Sequence, residues 1–247
     1  MSGLDLETKR KLREMGAVEL LHAVEAQDES LSMSLRFNER MRMAVDEAHS
    51  AYTTGQVGGL VRRSKLRYPD ADLRTLDFVE ERGLDQTTLA SLGSCGFIAQ
   101  NHNVVFQGFT GSGKSYLVCA LAKQACRHQI RTFYVLMPDF EEEWVQAQDK
   151  PLGASKFLKK YGSYTLLVID DWLLDRPDGD FLRMLLELME RRYGTSSTVF
   201  CTQYPKKDWH QRLGSGLHAD AIMDRIIQNT TWFETGTYNM REQLSSS

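Results

Sequence analysis

The chain has 247 residues, 42% of them hydrophobic and 26% charged, with a formal net charge of -3. These are ordinary globular values, which exclude wholesale disorder and leave room for one large domain or a mid-sized domain with a smaller companion. The slight acidity also excludes a global field that would draw polyphosphates, so any nucleic-acid binding has to come from local basic patches.

No run approaches the ~18 apolar residues of a membrane span, and the opening MSGLDLETKRKLREMG carries acids where a signal peptide has an apolar core. A cytoplasmic protein without membrane attachment is the expectation. Cys95, Cys119, Cys126 and Cys201 form no C-x-x-C pair, and the six histidines include no H-E-x-x-H, so structural zinc and disulfides are not expected.

From Leu4 to about Tyr68 the apolar spacing is helical. Leu12, Met15, Leu20, Leu21 and Val24 recur at three to four residues, as do Phe37, Met41, Ala44, Ala48 and Ala51. Gly16 is expected to interrupt the first helix, Ser34 or Asn38 to cap the later one, and Gly55, Gly58 and Gly59 to loosen the chain before a basic segment. Tyr68-Pro-Asp-Ala-Asp72 reads as a linker, which places a domain boundary near residue 70. Asp85 then caps a short helix through Leu89 and Leu92.

Beyond Asn101, β-rich runs at residues 104–107, 132–136, 165–169, 198–202 and 230–234 alternate with helical stretches. That alternation predicts an α/β fold, a mostly parallel sheet flanked by helices. The organisation is therefore a small all-helical domain over residues 1–70 followed by the α/β domain over 71–247.

The strongest motif is GFTGSGKS at residues 108–115, which fits G-x-x-x-x-G-K-[ST] and lies between a predicted strand and a helical stretch. Gly108, Gly111 and Gly113 let the backbone curl so that its N–H groups, with the helix amino end, meet a phosphate. Phe109, Thr110, Ser112 and Tyr116 complete the predicted nucleotide-binding stretch. Lys114 is expected to bridge the β- and γ-phosphates of ATP and Ser115 to bind magnesium.

A magnesium nucleotide needs a carboxylate at the end of a nearby strand, and LLVIDD at residues 166–171 supplies it. Asp170 is expected to hold Mg2+ through water, and Asp171 to orient or deprotonate the attacking water. The run at 132–136 lies between the loop and these acids, so the acids are not on the next strand in sequence. Residues 198–202 are the candidate for a strand inserted beside the P-loop strand, with Gln203 at its tip able to hold the lytic water.

In this order the segments RRSKLRYPDADL, GFTGSGKS, LLVIDDW, TVFCTQYPKKDWHQRL, ADAIMDRI and YNMRE resemble the IstB-type ATPases of IstA/IstB transposons, a branch of AAA+ P-loop NTPases related to the DnaC helicase loaders. The resemblance covers most of the chain. It implies an AAA+ domain, in which the 42 residues after Pro205 are too few for a full helical lid, an ATPase whose sites lie at subunit interfaces of a homo-oligomer, double-stranded DNA as a sequence-nonspecific partner, and an IstA-like transposase as protein partner. By the same resemblance Gln203 is the sensor-one residue, Arg225 the arginine finger reaching a neighbouring subunit, and Arg241 the sensor-two arginine. This chain departs from the family in having Phe109 in place of proline, Trp172-Leu173 in place of aromatic-glycine, and Asp171 where most AAA+ proteins have glutamate.

Two cationic clusters are candidate DNA contacts: Arg62, Arg63, Lys65 and Arg67 beside Tyr68, and Lys156, Lys159 and Lys160. The rival reading within this fold is a DnaC-like replicative helicase loader. Outside it stand a small-molecule kinase, which the paired acids disfavour, and a nucleotide switch without turnover.

Overall fold

The computed structural model describes residues 4–27, 34–76 and 85–235. Contacts divide the chain into two compact units, Met1–Gly59 and Leu60–Ser247. The division falls inside a helix, about ten residues before the Tyr68-Pro69 segment.

In the first unit, α1 (Leu6–Glu14) starts on Asp5, whose carboxylate accepts the Thr8 N–H at 2.8 Å, and ends just before Gly16 at φ +71°. That glycine separates α1 from α2 (Val18–Glu25), as its spacing predicted. The next helix, α3 (Phe37–Arg63), departs from expectation at both ends. Asn38 lies inside the helix and does not cap it: Arg36 precedes the first turn, and its N–H donates to Glu39 Oε2 at 2.8 Å, the returning half of a capping box. Gly55, Gly58 and Gly59 do not loosen the chain, because the helix passes through all three. A helical glycine costs about 1 kcal/mol relative to alanine, which the ladder on either side can carry. The unit's small core gathers Ala23, Ala44 and Ala48, with Leu20 and Val24 against them.

The second unit is a three-layer α/β structure. Its five strands are β1 (Asn103–Gln107), β2 (Thr132–Leu136), β3 (Leu166–Asp170), β4 (Ser197–Thr202) and β5 (Thr230–Glu234), in the order β2-β3-β4-β1-β5 with every pair parallel. The inserted strand β4 thus lies between the P-loop strand and the acid-bearing strand, as the sequence reading required.

Parallel strands buried on both faces need apolar residues at every position, and parity sorts them to two sides. Val105, Phe133, Val135, Leu167, Ile169 and Phe200 face one cluster. It is closed by α7 (Met137–Gln148), α8 (Gly153–Gly162), α9 (Gly179–Arg192), α10 (Lys206–Arg212) and α11 (Leu217–Ile227). Val104, Phe106, Tyr134, Leu166, Val168, Val199 and Cys201 face the other. There the cover is α4 (Gln86–Gly93), α5 (Gly96–Ala99) and α6 (Lys114–Arg127). Asp85 caps α4 through the Thr88 N–H. Among the described residues no helix is long and apolar enough to cross a membrane.

The segment read as a linker is anchored. Ala71 is fully buried and Asp72 nearly so. The Asp72 carboxylate accepts the Arg74 N–H at 3.0 Å and pairs with both Arg74 and Arg127, the latter on α6. Arg74 is only two residues away, but Arg127, which ties the segment to α6, is 55 residues off and left no local signal. The Arg74 and Arg127 guanidiniums hold the Asp72 carboxyl well below the usual carboxylate range. A depressed folded pKa contributes stability above the unfolded value near ~3.9 and loses it as pH falls further. Asp72→Asn should therefore lower stability by about 2 kcal/mol at pH 7. In parallel denaturant titrations the gap from wild type should narrow only below about pH 4.

Candidate nucleotide-binding site

The loop at 108–115 joins β1 to α6. Gly111 and Gly113 take φ +96° and +80°, the left-handed region open to glycine without a Cβ penalty. Gly108 is constrained by space instead. A Cβ there would lie 1.9 Å from Thr235 Oγ1 and 3.1 Å from the Thr235 carbonyl oxygen. Thr235 closes the loop from the end of β5: its N–H donates to Gln107 O at 2.8 Å, and its hydroxyl lies 2.9 Å from Ser112 Oγ.

Lys114 is buried, and its ammonium donates to the carbonyls of Gly108 (2.7 Å) and Phe109 (2.8 Å). The positive charge therefore sits within the curl of the loop, at the amino end of the 14-residue α6, where the helix dipole adds to it. Ser115 is half-buried in the first turn, and Phe109 and Tyr116 are exposed at 36% and 37%.

Register puts the acids at the same edge. Val105 pairs with Phe200, and Phe200 with Ile169, so Asp170 stands level with Phe106, one strand away from β1. Its parity is that of Leu166 and Val168, so its side chain belongs to the α6 side of the sheet. The carboxylate is almost fully buried. Oδ2 accepts the Tyr134 hydroxyl at 2.7 Å and Oδ1 accepts the Asp171 N–H at 2.9 Å. Burial, then the Asp170 charge, push the Tyr134 phenol far above its ordinary pKa, so it is a permanent donor.

Asp171 follows at φ +54° and Leu173 at φ +59°. Aspartate tolerates this region and leucine does not, at a cost of roughly 1–2 kcal/mol. Leu173 occupies the place where the resembled family has glycine, which explains that preference. Burial holds the strained turn: Trp172 and Leu173 are inaccessible, and the Trp172 N–H donates to Cys201 O at 2.7 Å.

Gln203 leaves β4 between the two sites. The turn carrying it is fixed by Thr202 Oγ1, which donates to Trp172 O at 3.0 Å and accepts the Tyr204 N–H at 3.1 Å. Trp209 is fully buried and donates from its indole to Tyr204 O at 3.1 Å. Arg212 stacks 3.7 Å from the Tyr204 ring centroid and donates to the carbonyls of Leu173 and Leu174, tying this turn to the acid turn.

The remaining candidates lie elsewhere. Arg225, on α11, precedes Thr230, which pairs with Asn103 at the start of β1. It is thus beyond the sheet edge opposite the loop, about 16 Å of strand away. There it pairs with Glu190 and Asp224. Arg241 lies outside the described residues. Arg62 and Arg63 are exposed in the last turn of α3, and Lys65 is exposed at φ +56°. Arg67 is drawn toward the acids: burial opposes its charge, but Tyr68, Tyr134 and Asp170 outweigh it and raise its pKa. In the second cluster Lys156 and Lys159 are exposed on α8, while Lys160 pairs with Glu143 at 3.0 Å.

Sequence reading passed over Tyr134, Thr235 and Arg212. A tyrosine inside a β-rich run carries no signal beyond core, and the other two act across more than 30 residues of chain.

The loop fits a triphosphate: glycine backbone, helix amino end and Lys114 supply donors and positive charge, and no larger residue fits at 108. Ser115 and Asp170 are the hard oxygen donors that Mg2+ takes. Gly108→Ala should abolish retention of a fluorescent ATP analogue. Adding Thr235→Ala should restore it only in part, because the 3.1 Å contact with the Thr235 backbone oxygen remains.

Residues 8–247 match the family described as IstB-like ATP binding protein. The chain is 32% identical over 216 residues to an insertion sequence ATP-binding protein of Sinorhizobium fredii, covering 87% of this chain and 86% of the relative. It is 33% identical over 175 residues to the IS1162 ATP-binding protein of Pseudomonas fluorescens, covering 70% and 75%. Among solved structures it resembles the DnaC helicase loader (TM-score 0.56, 22% identity, 68% of this chain and 98% of that one). It also resembles the replication initiator DnaA bound to AMPPCP and single-stranded DNA (TM-score 0.59, 17% identity, 74% and 56%). At these identities the likeness is one of fold, the AAA+ P-loop sheet. The match along nearly the whole length shows that the chain belongs to the IstB-like ATP-binding protein family of insertion sequences.

Proposed function

We propose that this protein is the ATPase helper of a transposase: with ATP and Mg2+ it assembles into a homo-oligomer on double-stranded DNA without sequence preference, delivers or activates an IstA-like transposase, and resets by hydrolysis. Family membership supports the transposition role over that of a helicase loader. The observation that carries the mechanism is the separation of Arg225 from its own phosphate loop by the length of the sheet.

In this reading the loop N–H groups and Lys114 hold the β- and γ-phosphates, and Ser115 and Asp170 would hold Mg2+, which when bound would draw charge from the phosphate oxygens. Asp171, at the exit of β3, accepts the proton of the attacking water, and Gln203 orients that water. Asp171 is shorter than glutamate, which suits slow turnover. Arg225 completes the site of a second subunit, neutralising charge on the transferred phosphoryl group; fingers of this kind accelerate related NTPases by about 10³ to 10⁵. Arg241 is the proposed sensor-two residue. Arg62, Arg63, Lys65, Arg67, Lys156 and Lys159 offer phosphate contacts, whose binding should fall steeply with salt. Lys160 is the weakest candidate because Glu143 already neutralises it.

Lys114→Ala should lose ATP binding, and Arg225→Ala should keep it while hydrolysis drops at least a hundredfold. Mixing the two variants provides the sharper test. Each alone should be nearly inactive, yet their mixture should recover turnover, because some interfaces then join an intact loop to an intact finger. A mixture no faster than the sum of its parts excludes Arg225 as a finger acting between subunits.

A further inference from the structure

We infer that Tyr134 is a positioning residue for metal binding: its hydroxyl holds the Asp170 carboxylate in the orientation that receives Mg2+. The inference rests on the proposed assignment of Asp170 as the metal carboxylate, and no motif in the sequence marks Tyr134 for such work.

The geometry is closed on all sides. Strand β2 pairs with β3 so that Leu136 stands opposite Asp170 and Tyr134 opposite Val168. Tyr134 and Asp170 share the parity that faces α6, so the tyrosine ring runs along the sheet and brings its hydroxyl to Oδ2 at 2.7 Å. Both residues are at least 95% buried, with Tyr134 at 5% exposure and Asp170 at 1%. In such surroundings the carboxylate cannot rely on solvent to satisfy it, and a hydrogen bond to an ionised group is among the stronger ones available.

The Asp171 N–H fixes the other oxygen, Oδ1, at 2.9 Å. These two donors, with the Cys201 thiol as a third contact, leave one torsional setting for the group. A carboxylate has about four acceptor sites, so one remains for a metal-bound water. The tyrosine is itself held at its backbone, where its N–H donates to Ser64 O at 2.8 Å. The ring position is therefore set by chain pairing and does not depend on the hydroxyl, so Tyr134→Phe removes only the contacts the hydroxyl makes, with Asp170 and with Arg67.

Partners of this kind typically change metal affinity 10- to 100-fold when removed. The test measures retention of a fluorescent ATP analogue across a Mg2+ titration, for wild type and Tyr134→Phe, with EDTA as the metal-free reference. Wild type should show a saturable Mg2+-dependent gain. Tyr134→Phe should show the same retention in EDTA and a Mg2+ midpoint raised about 10-fold or more. An unchanged or lowered midpoint overturns the inference, as does equal weakening with and without Mg2+, which would mark Tyr134 as a packing residue. Absence of any Mg2+ dependence in wild type would instead overturn the assignment of Asp170.

Discussion

All five strands run parallel, so every strand delivers its carboxyl end to one edge of the sheet and every connection must return across a face. That single constraint assembles the site. The loop after β1, the acids after β3 and Gln203 after β4 arrive together because their strands are in register, not because they attract one another. It also sends the residues that precede strands to the far edge, Arg225 among them. Parity then decides which of the arriving side chains face α6, and so places Asp170 beside the helix whose first turn carries Ser115.

The sequence made most of this frame legible because burial on both faces leaves a plain mark: short runs of consecutive apolar residues bounded by polar ones. Two of the strands, at 132–136 and 230–234, have the predicted limits, and the other three shift by one residue. The inserted position of β4 followed from counting strands between the loop and the acids. Local signals were less dependable where a tertiary contact overrode them. Three glycines suggested a break in α3 that flanking helical turns do not allow, and Pro69 with two aspartates suggested a linker that Arg74 and Arg127 pin down. The residues missed at the site, Tyr134, Thr235 and Arg212, share one property: each acts on a segment distant in sequence, and its residue type has an ordinary reading where it stands.

The edge that holds the acids is strained, and its surroundings oppose relaxation. Asp171 and Leu173 both take positive φ, which aspartate tolerates and which costs leucine roughly 1–2 kcal/mol. What holds them is an aromatic group behind the turn, where Trp172 lies 4.8 Å from Phe200 and 5.7 Å from Trp209 between centroids, together with Arg212 on the carbonyls of Leu173 and Leu174. The same Arg212 stacks on Tyr204, next to Gln203. The acid turn and the Gln203 turn are thus braced by shared side chains, so a shift in one has to be felt by the other. Strain stored beside a candidate base, and over-determined by packing, is a common property of functional turns.

The far edge has the opposite character. Arg225 is a third exposed, and its partners Glu190 and Asp224 are more than half exposed. Ion pairs in that setting are worth ~1 kcal/mol or less, whereas a desolvated phosphoryl group in transition bears concentrated charge that a guanidinium can meet with several donors. On the proposed reading the arginine therefore gives up little when a second subunit's nucleotide replaces Glu190, and a lone chain has no geometry in which that exchange can occur. The fold puts a preorganised phosphate cradle at one edge and a loosely paired cation at the other, and on the proposed reading that separation makes turnover a property of the assembly.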